Sequence, residues 1–130
     1  MRVKRFLEWI GLKEKLHLSL QQAPYVSEGQ VWWASLGENI GFEIDGKSNQ
    51  FTRPVIIFKK LSNGFYFVIP LTSRFRLGSW YVSCNLKGME QIACLHQVRA
   101  IDYRRLYSKL GRLDDLEYKK VKEGFVRLYL

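Results

Sequence analysis

No stretch of this sequence is apolar for long enough to cross a bilayer. The longest run, Phe65-Tyr-Phe-Val-Ile-Pro-Leu71, is far short of the roughly 18–20 residues a helical span needs. A secretory leader is not expected either. Glu8, Lys13, Glu14 and Lys15 interrupt the early apolar residues before an h-region can form. The expectation is a cytoplasmic protein with no membrane association. Cysteine and histidine are scarce, two of each, with no CxxC and no Cys/His cluster. That argues against a zinc site, and no metal or cofactor is expected. Cys84 and Cys94 are read as reduced core thiols. Acid is also in short supply, with 12 Asp+Glu against 21 Lys+Arg, for a net charge of +9 and a pI near 9.7. The basic excess is spread along the chain and does not form a tail. It therefore belongs to a folded surface and favours a polyanionic partner, nucleic acid first.

What is present suits one packed domain. The 130 residues are 47% hydrophobic and 15% aromatic, enough for a core and too apolar for a disordered chain. Residues 5–18 read as an amphipathic helix, with Phe6, Trp9, Ile10 and Leu16 near helical spacing. Pro24 separates it from the rest, so residues 1–25 are expected to be a helical extension and residues 26–130 the main domain. Strands are expected over residues 30–36, 54–60, 65–71, 80–86 and 91–99. Ser62-Asn63-Gly64 and Lys87-Gly88 supply the turns of two hairpins. Asp114 with Glu117 resembles a capping box that opens a C-terminal helix with Val121, Phe125 and Leu128 on its apolar stripe. The fold class is mainly β with flanking helices: a small antiparallel barrel with a helix at each end.

Residues 37–52 connect two of these strands and hold Glu38, Glu43, Asp45 and Lys47 with three glycines. A connection that long in a compact domain is usually functional or mobile. It runs directly into Arg53-Pro54. An arginine fork suits a phosphate, and Pro54 fixes the chain just beyond it. At the other end of the hairpin, Thr72 and Ser73 put two hydroxyls at a strand terminus, followed by Arg74 and Arg76. Such a rim suits phosphate contacts, and it equally describes a solvated polar turn. Cleaving RNA at its own 2′-hydroxyl needs a base, an acid and cationic donors for the phosphate, without any metal. Trp32, Trp33, Trp80 and Tyr81 either pack or stack on unpaired bases, with packing the expectation.

Taken together, these segments resemble the MazF/PemK family of toxin endoribonucleases. The resemblance rests on Gly29-Gln-Val-Trp-Trp33, Gly41-Phe-Glu-Ile-Asp-Gly46, Arg53-Pro-Val-Ile-Ile57, Ile69-Pro-Leu-Thr-Ser73 and Gln97-Val-Arg-Ala-Ile-Asp102. It covers about residues 28–130 and leaves the N-terminal helix outside. It implies an SH3-like barrel that works as a homodimer. It also implies metal-independent cleavage of single-stranded RNA to 2′,3′-cyclic phosphate and 5′-hydroxyl ends, and neutralisation by a cognate antitoxin protein. Arg53 matches the family's catalytic arginine, and Thr72 and Ser73 match its hydroxyl pair. Glu43 lies where some members carry a loop glutamate and is the first candidate for general base. Where some members have an arginine and an aspartate, this sequence has Cys94 and His96. His96 is therefore the reserve proton carrier. Lys47, Ser73, Arg74, Arg76 and Arg99 are expected to bind RNA. The rival readings are a non-catalytic nucleic-acid-binding barrel of the same fold and a protein-interaction module.

Overall fold

The computed structural model describes residues 3–130. Helix α1 (Phe6–His17) is followed by strands β1 (Gln30–Ser35), β2 (Thr52–Ser62), β3 (Phe65–Thr72), β4 (Tyr81–Leu86) and β5 (Met89–Cys94). Then come β6 (Arg99–Asp102), β7 (Leu106–Arg112) and helix α2 (Asp115–Tyr129). The strands pair antiparallel in the order β4-β5-β3-β2-β1-β7, with β6 beside β3. The mainly β architecture with a helix at each end is therefore as expected. Among the described residues no helix is long and apolar enough to cross a membrane.

The apolar run in β2 explains why that strand is central. Val55, Ile56 and Ile57 are all fully buried, because both faces of the strand are covered. Alternation sends Val55 and Ile57 into one cluster with Leu36, Tyr66, Val68 and Ile101. Ile56 enters the other, with Val31, Ile69, Leu71, Leu95 and Val121. Strand β3 has two partners on its far side: β6 along Phe65–Val68, and β5 at Leu71 and Thr72. That split curls the sheet. No ladder among the described residues joins β7 to β4, so the sheet is open. Its ends still approach one another. A Cβ on Gly111 of β7 would lie 3.3 Å from Leu86 Cδ1 and 2.9 Å from Lys87 Cε.

Helix α2 covers one mouth of this curl. Asp114 caps it by accepting from the Glu117 amide at 2.8 Å. The expected reciprocal half of the capping box is replaced. The Glu117 carboxylate accepts from the Asn85 amide of β4 at 2.6 Å and pairs with Lys120 at 2.8 Å. Gly124, which costs about 1 kcal/mol in a helix relative to Ala, is buried against Val82 of β4. Phe125 packs on Phe58 with ring centroids 4.9 Å apart.

The strand expected over 91–99 is interrupted. It ends at Cys94, opposite Tyr81, and Leu95–Gln97 form a 3₁₀ turn. Leu95 drives that turn: it is fully buried, and its amide donates to Trp80 O at 2.8 Å. His96 therefore sits on a turn and not within a strand. Cys84 and Cys94 are both buried free thiols, and burial pushes each pKa up to about 11. Helix α1 buries one side chain, Trp9. Phe6 and Ile10, expected on its apolar face, are exposed.

Candidate active site

The loop at residues 36–51 folds back on itself. Leu36 and Gly37 both donate to Phe51 O, and Gly46 donates to Gly37 O at 2.8 Å. Lys47 and Thr52 exchange two backbone hydrogen bonds at 2.8 Å. The Asn39 amide donates to an Asp45 carboxylate oxygen at 2.6 Å, and the Asn39 side chain donates to Ile44 O at 2.8 Å. Gln97 ties the loop to the 95–97 turn from the other side. Its Oε1 accepts from the Ile44 amide at 3.0 Å, and its Nε2 donates to Phe42 O at 2.8 Å.

This fold places Asp45 O against Arg53, near the start of β2. Arg53 Nε donates to Asp45 O at 2.7 Å, and its Nη1 donates to Leu71 O at 3.3 Å, at the end of β3. One edge of the guanidinium is thereby fixed by backbone. Burial lowers the Arg53 pKa, with Cys94 and Asp45 pulling the other way. Arg53 forms the wall of an open cavity of about 1190 Å³. The cavity gathers Arg5, Lys47, Arg74 and Arg76, the Thr72 hydroxyl, and the aromatic rings of Trp80, Tyr81 and His96. Among the described residues, Asp45 is the one carboxylate lining it. A smaller cavity of about 650 Å³ adjoins it and shares Lys47, Ser48, Arg53 and Thr72. Ser73 and Trp33 line only the second cavity.

The His96 ring is stacked on Trp80, with centroids 4.9 Å apart and 24° between planes, and meets the edge of Tyr81 at 5.2 Å. Burial lowers its pKa, against a smaller pull from the Trp80 backbone. The imidazole is therefore neutral at pH 7. Its Nδ1 is buried without a well-formed hydrogen bond. Trp80 itself is 53% exposed, so it has a free surface although His96 covers part of it. Packing on His96 and a surface available for stacking coexist in the same side chain.

The profile of the PemK-like, MazF-like toxins of type II toxin–antitoxin systems matches residues 27–129. The chain belongs to that family. The family's members are toxin endoribonucleases. No curated protein sequence matches it. Solved structures agree on the fold. MazF from Deinococcus radiodurans superposes with a TM-score of 0.65 at 20% identity, covering 81% of this chain and 97% of that one. An endoribonuclease in complex with its cognate antitoxin from Mycobacterial species gives 0.60 at 13% identity, covering 79% and 93%. The Mycobacterium tuberculosis toxin MazF-mt6 gives 0.58 at 16% identity, covering 77% and 95%.

The cavity of this MazF-like chain unites Arg53, Thr72, His96, Lys47, Arg74 and Arg76. Glu43 and Arg99 line neither cavity. Glu43 is turned back on its own loop, where its Oε1 accepts from the Ile40 amide at 2.9 Å. Arg99 feels the Glu43 charge while burial lowers its pKa, so the two lie near each other. Thr72 Oγ1 accepts from the Arg74 amide at 3.2 Å, which fixes the hydroxyl at the strand end. Sequence reasoning missed Arg5 as a cavity residue and Asp45 as the support of Arg53. Arg5 is far from the other cavity residues in sequence, and the Asp45 contact is made by a backbone carbonyl, which residue type does not reveal. Gln97 was visible only as part of a motif, without its bridging role. Among the described residues no group of three His, Cys, Asp or Glu side chains is placed to hold a metal ion.

Proposed function

We propose that this MazF-like chain is a metal-independent endoribonuclease that cuts single-stranded RNA by transesterification in the cytoplasm. One observation carries the reading. A guanidinium held by two backbone carbonyls shares a cavity with a fixed hydroxyl, a neutral imidazole and a cationic rim. In the proposed step the 2′-oxygen attacks phosphorus and its proton passes to His96. The P–O5′ bond breaks, leaving a 2′,3′-cyclic phosphate. The departing 5′-oxygen takes a proton from Arg53 and becomes a 5′-hydroxyl. Burial makes the Arg53 guanidinium a better acid than a free arginine. Its charge also stabilises the crowded phosphate, where preorganised donors are most effective. Thr72 holds a phosphate oxygen. Glu43 lines neither cavity, so His96 is assigned first.

Lys47, Arg74 and Arg76 are assigned to flanking phosphates, with Ser73 continuing the path into the adjoining cavity. Trp80 offers its exposed surface to a base, and sequence-tolerant stacking of this kind is common in single-strand binding. The chain is proposed to work as a homodimer, with a cognate antitoxin segment laid over the cavity.

The test uses purified protein, a long unstructured RNA and excess EDTA, with wild type beside Arg53→Ala. Discrete fragments with 5′-hydroxyl ends, absent from a folded mutant, are the expected result. RNA retention that falls steeply with salt, without any fragments, would favour the non-catalytic binding barrel instead.

A further inference from the structure

Residues 4–17, helix α1 and the two residues before it, precede residue 27, where the family match begins, yet Arg5 lines the cavity. We infer that this N-terminal segment is a positioning element: Lys4, Arg5 and Trp9 hold the 36–51 loop, and the loop holds the Arg53 guanidinium. The inference rests on the endoribonuclease reading for its functional consequence, though not for its structural one.

Three adjacent grips carry it. The Trp9 indole is 5% exposed and fills the space where a Gly37 Cβ would stand, 2.0 Å from Trp9 Cε2. Its ring centroid lies 5.5 Å from that of Phe51, at the far end of the same loop. Trp9 thus wedges both ends of the loop together. Arg5 lies over the Phe51 ring at 4.2 Å and donates to Ser48 O at 2.9 Å. It also faces the Glu38 carboxylate at 3.8 Å, whose side chain is fully enclosed. An enclosed carboxylate is costly unless a cation stands near it. Lys4 reaches the middle of the loop, where it pairs with Asp45 at 3.0 Å and donates to Asn39 O. Asp45 is the residue whose carbonyl accepts from Arg53 Nε. The C-terminal end of α1 is tied down as well, because Arg104 donates to His17 O at 2.9 Å while paired with Asp102. The route from this segment to Arg53 is therefore short. It passes from Lys4 through Asp45 and from Trp9 through the loop ends.

A long loop without such grips samples many conformations. A catalytic group displaced by about 1 Å loses on the order of 100-fold in rate. The grips therefore act on turnover more than on RNA affinity.

The experiment compares wild type with Trp9→Ala and with the double variant Lys4→Ala/Arg5→Ala. The second keeps the test open if loss of Trp9 prevents folding. Two readouts need no activity. Amide hydrogen exchange should quicken at least about 10-fold across residues 37–47 and stay unchanged in the β2–β3 ladder. The Arg53 Nε–H resonance, shielded by Asp45 O in wild type, should broaden or exchange with water. For cleavage, kcat should fall about 10- to 100-fold, with KM nearly constant in Trp9→Ala; Lys4→Ala/Arg5→Ala also removes a cavity cation, so its KM should rise as well. Trp9→Phe and Lys4→Arg/Arg5→Lys should recover most of the lost kcat. An unchanged loop and an unchanged Arg53 resonance in the folded variants would overturn the inference. So would a loosened loop with undiminished kcat. If wild type itself fails to cut RNA while the loop and Arg53 respond as stated, the endoribonuclease reading falls and the positioning role stands.

Discussion

Replacing Gly124 with alanine sets two physical effects against each other. Helix propensity favours alanine by about 1 kcal/mol in a helix interior. Packing opposes it. A Cβ at this position would stand 2.4 Å from Val82 Cγ2 and 3.3 Å from Leu95 Cδ1. Carbon atoms prefer separations of about 3.5–4.0 Å, so α2 and β4 must part by more than an ångström or Val82 must leave its rotamer. Overpacking on this scale costs about 1–3 kcal/mol. The net expectation for Gly124→Ala is a loss of about 0–2 kcal/mol. The decisive measurement is a double-mutant cycle with Val82→Ala, read by urea unfolding at constant m. With the Val82 methyls gone, the clash disappears and the propensity gain remains. Gly124→Ala should then stabilise the Val82→Ala background by about 1 kcal/mol. A reversal of sign between the two backgrounds is the signature. If Gly124→Ala stabilises the wild-type protein as much as it does the Val82→Ala protein, the close approach of α2 to β4 is not what placed glycine there. The consequence reaches the site, since β4 begins at Tyr81, beside Trp80, and both line the cavity.

Further outcomes can be checked independently. Burial holds the His96 pKa below the ordinary histidine value, and a general base must be unprotonated. Cleavage should therefore rise with pH through a midpoint below about 6.5 and level off by neutrality. His96→Gln should abolish the activity, while Glu43→Gln should leave the rate within a few-fold and the pH–rate midpoint unmoved, as cleavage assays of both variants would show. The same shift has a stability counterpart. Protonating His96 as pH falls below about 6.5 should destabilise the fold, and His96→Gln should flatten that part of a pH–stability curve. Trp80→Ala should weaken binding of a non-cleavable single strand by about 1–3 kcal/mol, with Trp80→Phe retaining most of the affinity in a titration. Removing Arg74 or Arg76 should lower affinity for all sequences alike and reduce the salt slope by roughly 0.7 per lost phosphate contact.

Those parts of the fold that are governed by local pattern are readable in the chain. Val55-Ile56-Ile57 between a proline and a turn announces a buried strand, and Asn63-Gly64 announces the hairpin. Asp114 announces the start of α2. Residues 100–112 carry no strand signal in the sequence. Arg104, Arg105, Lys109 and Arg112 dilute their apolar alternation, and β7 holds its place mainly by pairing with β1. That pairing partner is distant in sequence. The break at Leu95 is similar, because it depends on Trp80 O and a fully buried leucine. At the site, residue type singled out Arg53 and Thr72, the family resemblance added His96, and all three line one cavity. The setting of each was not legible. Glu43 bonded to its own loop, Asp45 O supporting Arg53 and α1 gripping the loop are consequences of the folded path. A glycine at 37 carries no mark of the indole that occupies its missing side chain.

Arg5, Lys47, Arg53, Arg74 and Arg76 surround one cavity that, among the described residues, contains a single carboxylate. One lining carboxylate, together with Glu38 beside Arg5, does not balance five cations, which repel one another. Any polyanion that enters relieves that repulsion in the folded state alone, because the unfolded chain scatters the charges. Folding and occupancy are then linked by mass action, and a ligand at about 100 times its Kd adds about 2.7 kcal/mol to stability. The melting temperature should therefore climb with ligand concentration and serve as a titration curve in its own right. In a cell, the fraction of this chain that stays folded long enough to act would track how much anionic partner surrounds it.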